Sequence, residues 1–343
     1  MKIEIEDNQF IEFDESQRLF FYGHNQKLAH ELVRSLKRFS NKKNLNELEE
    51  LVYGENGIEI YRDEQLLKPG SIDIHFLQDS SSIYNEVSFD KLSLMTDFLS
   101  AMSENVEINR ELSKIEDHLL KIELIFNEKL GKISDNISSN VAELTYAELM
   151  KNNMFLSYVD QSHEFPLEMM DANELIDEYL LLLKDKLARD LKETWVVLIN
   201  IASFLSLESS QVLIDGLTKM ADDTGLLHIF IVGEESLNLN YDLEDIPNTV
   251  ILTNEVCQMP EFENFKSSVM NHYPATLRMT DEELCSAFFE IISCIGNDIN
   301  ATGKSYEYIV LLKVINDILG FSSLKFNSQV KELTDAERAY LES

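Results

Sequence analysis

The residues best placed to do chemistry in this chain are basic. Lys27, His30, Arg34, Lys37 and Arg38 recur at helical spacing, Lys42 and Lys43 follow directly, and Glu31 is the only acid among them. Ammonium and guanidinium groups gathered in this way bind phosphate oxygens. The basic face carries no interleaved aromatics, which suits the backbone of a duplex better than stacked, unpaired bases. Lys129 and Lys132 are candidates to extend the same surface. The competing explanation is an ordinary amphipathic helix with a solvated outer face. The rest of the chain sharpens the choice, because 62 Asp and Glu stand against 29 Lys and Arg, a formal charge of −33. Charge of that sign opposes nucleic-acid binding in general. A phosphate-binding surface must therefore be a local patch held apart from the acids.

Other chemistries find less support. Gly303-Lys304-Ser305 ends like a phosphate-binding loop, but position 298 is Asp where that pattern needs Gly. The segment also joins two predicted helices instead of following a strand. Residues 19–26 have the better architecture, strand then Gly23 then helix, without the Lys and Ser or Thr that hold phosphate and magnesium. Asn200 ends the strongest strand where a nucleotide hydrolase carries an Asp for its metal. The expectation is a nucleotide-binding-like fold with no nucleotide and no enzymatic activity. Neither HExxH nor GxSxG occurs, and Cys257, Cys285 and Cys294 form no CxxC pair. His228 lies in an apolar run and reads as a core histidine. Asp222-Asp223 and Glu234-Glu235 read as solvated loop acids.

The elements that position these residues follow from periodicity. Residues 194–206, TWVVLINIASFLS, form an apolar run without alternation, as expected of a strand buried on both faces. Residues 226–232, LLHIFIV, form a second, and 207–221 between them have helical spacing, which predicts parallel strands joined by a crossover helix. Further strands are expected at 2–5, 9–13, 19–22, 58–61, 72–77 and 249–253. The basic residues fall on a helix over 26–40 whose apolar face is Leu28, Leu32, Leu36 and Phe39. Ile108, Leu112, Ile115, Leu119, Ile122, Phe126, Leu130, Ile133 and Ile137 recur three and four apart, nearly a coiled-coil seam. Residues 172–192 repeat the pattern with Ile176, Leu180, Leu183, Leu187 and Leu191, so the two helices should pack antiparallel, with a short helix over 142–151 between them. Thr280-x-x-Glu283 and Thr334-x-x-Glu337 are capping boxes opening late helices. The expected fold is an α/β head split by an inserted helical arm and followed by a helical extension: head 1–86, arm 87–192, head 193–258, C-terminal helices 259–343.

No apolar run reaches the roughly 18–20 residues that span a bilayer, so no membrane partner is expected. The first residues, MKIEIEDNQF, alternate and carry acids, unlike a signal peptide. An odd cysteine count without pairing fits a reducing compartment, and the expected location is the cytoplasm.

Several segments resemble the CRISPR-associated Csn-two family of type II-A systems in its long streptococcal form. They are FFYGHNQKLAHEL, LTYAELMKNN, and the run over 174–206 that ends in VVLINIASFLS and continues through 207–220 to HIFIVGEE. The likeness covers roughly residues 1–256, and the helices from Met259 are similar to the extension of the long members. The resemblance implies a head similar to a phosphate-loop ATPase without its catalytic motifs, a helical arm and a ring-shaped homotetramer. It implies sequence-independent binding of double-stranded DNA ends through a lysine-lined hole. The implied role is in spacer acquisition, alongside the adaptation integrase proteins and the effector nuclease. On that reading Lys27, Arg34, Lys37, Arg38, Lys42, Lys43, Lys129 and Lys132 face DNA. Short members bind calcium through an acid-rich segment. The corresponding stretch, 126–143, keeps Glu128, Asp135 and Glu143 as candidate ligands among far fewer acids. The alternative function is an acidic helical adaptor that organises protein partners, and a third is an enzyme with a degenerate nucleotide site.

Overall fold

The strands and helices follow one another in mixed order. In the computed structural model they are β1 (Lys2–Glu6), β2 (Gln9–Glu12), β3 (Arg18–Tyr22), α1 (Gln26–Ser40), β4 (Ile60–Arg62), β5 (Gln65–Leu66), β6 (Asp73–Leu77), α2 (Ser80–Val87), α3 (Leu94–Ala101), α4 (Val106–Leu130), α5 (Tyr146–Asn153), β7 (Ser157–Asp160), β8 (His163–Pro166), α6 (Ala172–Asp190), β9 (Thr194–Ile199), α7 (Leu207–Thr224), β10 (Leu227–Gly233), β11 (Thr249–Leu252), β12 (Val256–Gln258), α8 (Phe262–His272), α9 (Asp281–Ile291), α10 (Tyr306–Ile318) and α11 (Asp335–Glu342). The structure describes residues 1–6, 9–41, 47–48, 50, 57–161, 163–297, 305–321 and 333–342. Lys42, Lys43, Asp298, Gly303 and Lys304 lie outside them. Contacts divide the chain into two units, Met1–Ser80 with Asp190–Ser343, and Ser81–Arg189. The helices after residue 259 fall in the first unit.

The first unit is built on a six-stranded sheet of order β12-β11-β3-β10-β9-β6. Strands β11, β3, β10, β9 and β6 are parallel, and β12 returns antiparallel on β11. β9 is buried along Thr194–Leu198, as an unalternating apolar run requires, but β3 and β10 occupy the middle of the sheet. Register sets the two faces. Leu19, Phe21, Trp195, Val197, Phe230, Val232, Val250 and Leu252 share one side with Leu32, Leu36 and Phe39 of α1 and with Ile3 and Ile11 of an antiparallel sheet, β2-β1-β4-β5. Aromatic rings knit this layer, with centroids 5.0 Å apart for Trp195–Phe230 and 5.2 Å for Phe13–Phe21. Such pairs contribute roughly 0.5–1.5 kcal/mol each beyond their buried area. On the other face α7 lies over β10, and Phe20 meets Phe289 of α9 at 6.0 Å. The capping boxes at Thr280 and Thr334 both form.

The second unit holds α2 to α6 and the β7–β8 hairpin. α6 buries Ile176, Tyr179, Leu183 and Leu187, and its buried Lys186 reaches Asp97 at 3.5 Å, where Arg189 also binds. The long seam is shorter than its periodicity predicts. α4 stops at Leu130, and Ile133 and Ile137 are outside it and exposed. The cause is local. Asn127 Oδ1 accepts from the Ser139 N–H at 2.6 Å and from its hydroxyl at 3.0 Å, and Glu123 accepts from the Val141 N–H at 2.9 Å. These side chains fold the following segment back along the helix instead of letting it continue. Leu112 is the buried member of the α4 seam, while Ile115, Ile122 and Phe126 are exposed. α5 starts at Tyr146, later than residue 142, because Thr145 and Glu148 close a capping box there. Among the described residues no helix is long and apolar enough to cross a membrane.

The turn from β3 to α1 permits only glycine. Gly23 has φ +146°, and a Cβ there would lie 2.2 Å from the carbonyl oxygen of Leu252. Gly23→Ala combines strain with a backbone clash, so a loss of about 3 kcal/mol or more is expected. Trp195, the chain's only tryptophan, is fully buried in the first unit and reports its unfolding. The urea midpoint followed by Trp195 fluorescence should fall in Gly23→Ala, and an unchanged midpoint would contradict the close approach.

Candidate nucleic-acid interface

α1 is positioned at both ends. At its N-terminus the Asn25 side chain accepts from the Leu28 N–H at 3.1 Å and donates to the Thr253 carbonyl at 2.7 Å. Leu32, Leu36 and Phe39 then hold one face on the core, which leaves Lys27, His30 and Lys37 exposed and Arg34 and Arg38 half-buried on the other. Lys27 pairs with Glu31 at 3.3 Å. Lys37 donates to Gln78 Oε1 and lies 5.6 Å from the Phe76 ring centroid. Arg38 donates to the Asn41 carbonyl at 3.2 Å. Lys37 and Arg38 are in the last turn, where cations also favour the helix dipole by roughly 0.3–1 kcal/mol. That is the ordinary role these two charges would play without a ligand. From Lys27 to Arg38 the stripe rises about 16 Å, a length over which one DNA strand presents about five phosphates along the axis.

The turn preceding α1 is where backbone N–H groups would cradle a phosphate. Here several are bonded within the protein. The Asn25 N–H donates to the Leu252 carbonyl at 3.2 Å, the Gln26 N–H to the His24 carbonyl at 2.9 Å, and the Leu28 N–H to Asn25. His24 contacts the Ile295 carbonyl at 3.1 Å. Beside the turn lies a cleft of about 400 Å³ lined by Gln26, Asn200, Glu234 and Glu235. Gln26 donates to Glu234 at 2.9 Å. Carboxylates at this mouth repel a polyphosphate.

The remaining sequence candidates belong to the second unit. Lys129 is in the last turn of α4, and Lys132 pairs with Glu128 at 3.0 Å. Asp135 is exposed, and Glu143 is hydrogen-bonded to Glu116. Among the described residues, the one group of three potential metal ligands with atoms within 4.8 Å of one another is Glu15, Glu193 and His228. Sequence reading gave no sign of it, because the three are far apart in the chain and meet only through strand register. His228 is half-buried at the start of β10, where Arg62 binds Glu15 and Glu193 at 2.6 Å each. Burial pushes the Glu193 carboxyl up, but its bonds from Arg62 and Trp195 outweigh that and hold it below the usual range.

No family model matches the chain, and no curated protein matches it. The solved structures do include a similar fold. The crystal structure of Stu0660 of Streptococcus thermophilus superposes with a TM-score of 0.85 at 18% identity, covering 97% of each chain. The mixed α/β architecture with a mostly parallel six-stranded sheet is thus shared over nearly the whole length.

The Glu116–Glu143 contact carries a pH dependence. A hydrogen bond donated by the protonated Glu116 carboxyl to Glu143, with smaller contributions from burial and neighbouring charge, raises Glu116 above its ordinary value. A raised carboxyl stabilises the fold below the unfolded-state pKa, and that contribution is lost as pH rises through the folded one. Carboxyl-carbon NMR should show Glu116 titrating above the ordinary glutamate range, and Glu143→Gln should move it back down. An ordinary midpoint in the unaltered protein would remove the shared proton.

Proposed function

We propose that this protein binds double-stranded DNA ends without reading sequence, as a homotetrameric ring acting in CRISPR spacer acquisition. The observation that carries the reading is the α1 stripe. In a chain of charge −33, Lys27, Arg34, Lys37 and Arg38 share one face of a helix whose other face is fixed to the core. The resemblance of the sequence to the Csn-two family supports it. Phosphate contacts from such a stripe set position without reading bases. Adaptation integrase proteins and the effector nuclease are the partners this role calls for, and Lys42, Lys43, Lys129 and Lys132 are further cations assigned to phosphate contacts. The head is read as a phosphate-loop-ATPase-like sheet that has lost its nucleotide. In support, the β3–α1 turn uses its own N–H donors and Glu234 and Glu235 line the adjoining cleft. No catalytic step is assigned.

A second reading, an acidic adaptor for protein partners, is favoured by a specific observation. α4 exposes Leu120, Leu124, Ile125 and Phe126, a set of apolar side chains unusual on a solvated helix.

Binding to linear and covalently closed circular duplex of one sequence, with the mass of the complex measured in the same buffer, tests the proposal. Linear-only binding by a tetramer is the expected result. Four cations per stripe predict that affinity falls about 100-fold between 50 and 200 mM salt for a single engaged copy, and more steeply for a ring. Lys37→Glu with Arg38→Glu should weaken every sequence alike and flatten that slope. Neither residue is in the buried core, so folding should survive. Undiminished binding by the double variant would move the contact elsewhere, and no binding to linear duplex at low salt would leave the adaptor reading.

A further inference from the structure

We propose that Glu15, Glu193 and His228 form a binding site for a divalent transition-metal ion, zinc above all, at the N-terminal edge of the six-stranded sheet. Glu15 lies between β2 and β3, Glu193 immediately precedes β9, and His228 is near the start of β10. His228 Nε2 is 3.7 Å from Glu193 Oε1 and 3.9 Å from Glu15 Oε1.

The imidazole itself points to a cation. His228 Nδ1 is 3.2 Å from the Ser16 carbonyl oxygen. A carbonyl only accepts, so Nδ1 carries a hydrogen, and Nε2 is turned toward two carboxylates. Nε2 and two carboxylate oxygens this close need a positive centre among them, either a proton on Nε2 or a metal ion in its place. A backbone carbonyl that fixes the far nitrogen is also the usual outer support of a metal-bound imidazole. Arg62 supplies part of the positive charge, with Nη2 2.6 Å from both Glu15 Oε1 and Glu193 Oε1. One guanidinium against two carboxylates leaves a negative charge over. Trp195 Nε1 donates to Glu193 Oε1 at 2.7 Å and steadies that side chain without adding charge.

The donor set selects the metal. One imidazole nitrogen and two carboxylate oxygens suit zinc, whereas calcium takes six to eight oxygens. Tetrahedral zinc with bonds of about 2.0–2.2 Å places neighbouring donors roughly 3.3 Å apart. The observed separations exceed that by about half an ångström, within reach of the exposed Glu15. Water would complete the shell. Arg62 Nη2 and the metal compete for the same two oxygens, while Arg62 Nη1 keeps Glu193 Oε2 at 2.9 Å. The ion would tie the Glu15 loop to the starts of β9 and β10. The inference is independent of the DNA reading.

The test is zinc titration calorimetry on the full-length, metal-stripped protein, at one fixed pH where imidazole is neutral, with cobalt absorption as a second signal. The expected result is zinc binding with the visible bands of four-coordinate cobalt. His228→Gln should weaken binding at least about tenfold, and Arg62→Gln should strengthen it by removing the competitor. A misfolded chain can also take up zinc through exposed Cys and His, so Trp195 fluorescence must show both variants folded before their affinities are compared. Zinc affinity unchanged in both variants would overturn the proposal. So would absence of binding in both the unaltered protein and Arg62→Gln, leaving an ion-pair ring closed by Arg62.

Discussion

The closest backbone approach at the β3–α1 turn governs much of the first unit. Gly23 lies against the Leu252 carbonyl, and the next residues continue the contact through the Asn25 N–H and the Asn25 side chain to Leu252 and Thr253. This fastens the start of α1 to β11 at the same point where the chain leaves the middle of the sheet. With that end fixed and Leu32, Leu36 and Phe39 in the core, the helix cannot rotate about its axis. The direction of its basic face therefore follows from a backbone contact at its beginning. The same contact explains why the turn is poorly suited to anions: donors that would point outward are bonded to β11 or within the turn, and Glu234 stands beside it.

Electrostatics then assigns different roles to the two ends of the strands. At their C-terminal edge, where ligands of open parallel sheets usually sit, the cleft carries Glu234 and Glu235. At the N-terminal edge, Arg62, Glu15, Glu193 and His228 form a partly buried charged cluster. Neither edge offers a concentration of positive charge, and α1 does. A stripe of four cations in a strongly acidic chain is a short-range feature, because the Debye length at physiological salt is about 8 Å. Beyond that distance the acids are screened too. Screening therefore lets a local basic face act on a phosphate placed against it despite the total charge.

The parts legible in sequence were those set by local periodicity or chemistry. β9 and β10 showed as apolar runs, α1 as an amphipathic helix, and Thr280 and Thr334 as caps, each with a physical cause within a few residues. The parts that were not legible depend on distant partners. That β3 and β10, not β9, take the middle of the sheet is a matter of strand order, which composition does not encode. The seam through Ile133 and Ile137 was a true periodicity without a helix, because Asn127 and Glu123 capture the backbone after Leu130. Glu15, Glu193 and His228 carried no spacing signal at all. His228 read as a core histidine from its apolar neighbours, and its register places it near the start of β10 beside two carboxylates. For the candidate DNA site, sequence supplied Lys27, Arg34, Lys37 and Arg38 and their common helical face, and structure supplied the core contacts that hold that face outward.

Under the proposed function the acidic body has a consequence for assembly. One stripe makes few phosphate contacts, and each is weakened by salt, so a lone subunit should hold DNA poorly. Several stripes facing one duplex convert later contacts into intramolecular ones, and avidity can then exceed single-site affinity by about 10²–10⁴. The acids outside such an arrangement oppose binding in any other orientation, since a duplex laid against them meets like charge. Weak cations in a strongly acidic frame thus favour a bound state that requires the correct assembly. The exposed Leu120, Leu124, Ile125 and Phe126 of α4 supply apolar surface on which protein contacts of such an assembly could be built, because apolar burial, unlike the phosphate contacts, does not weaken as salt rises.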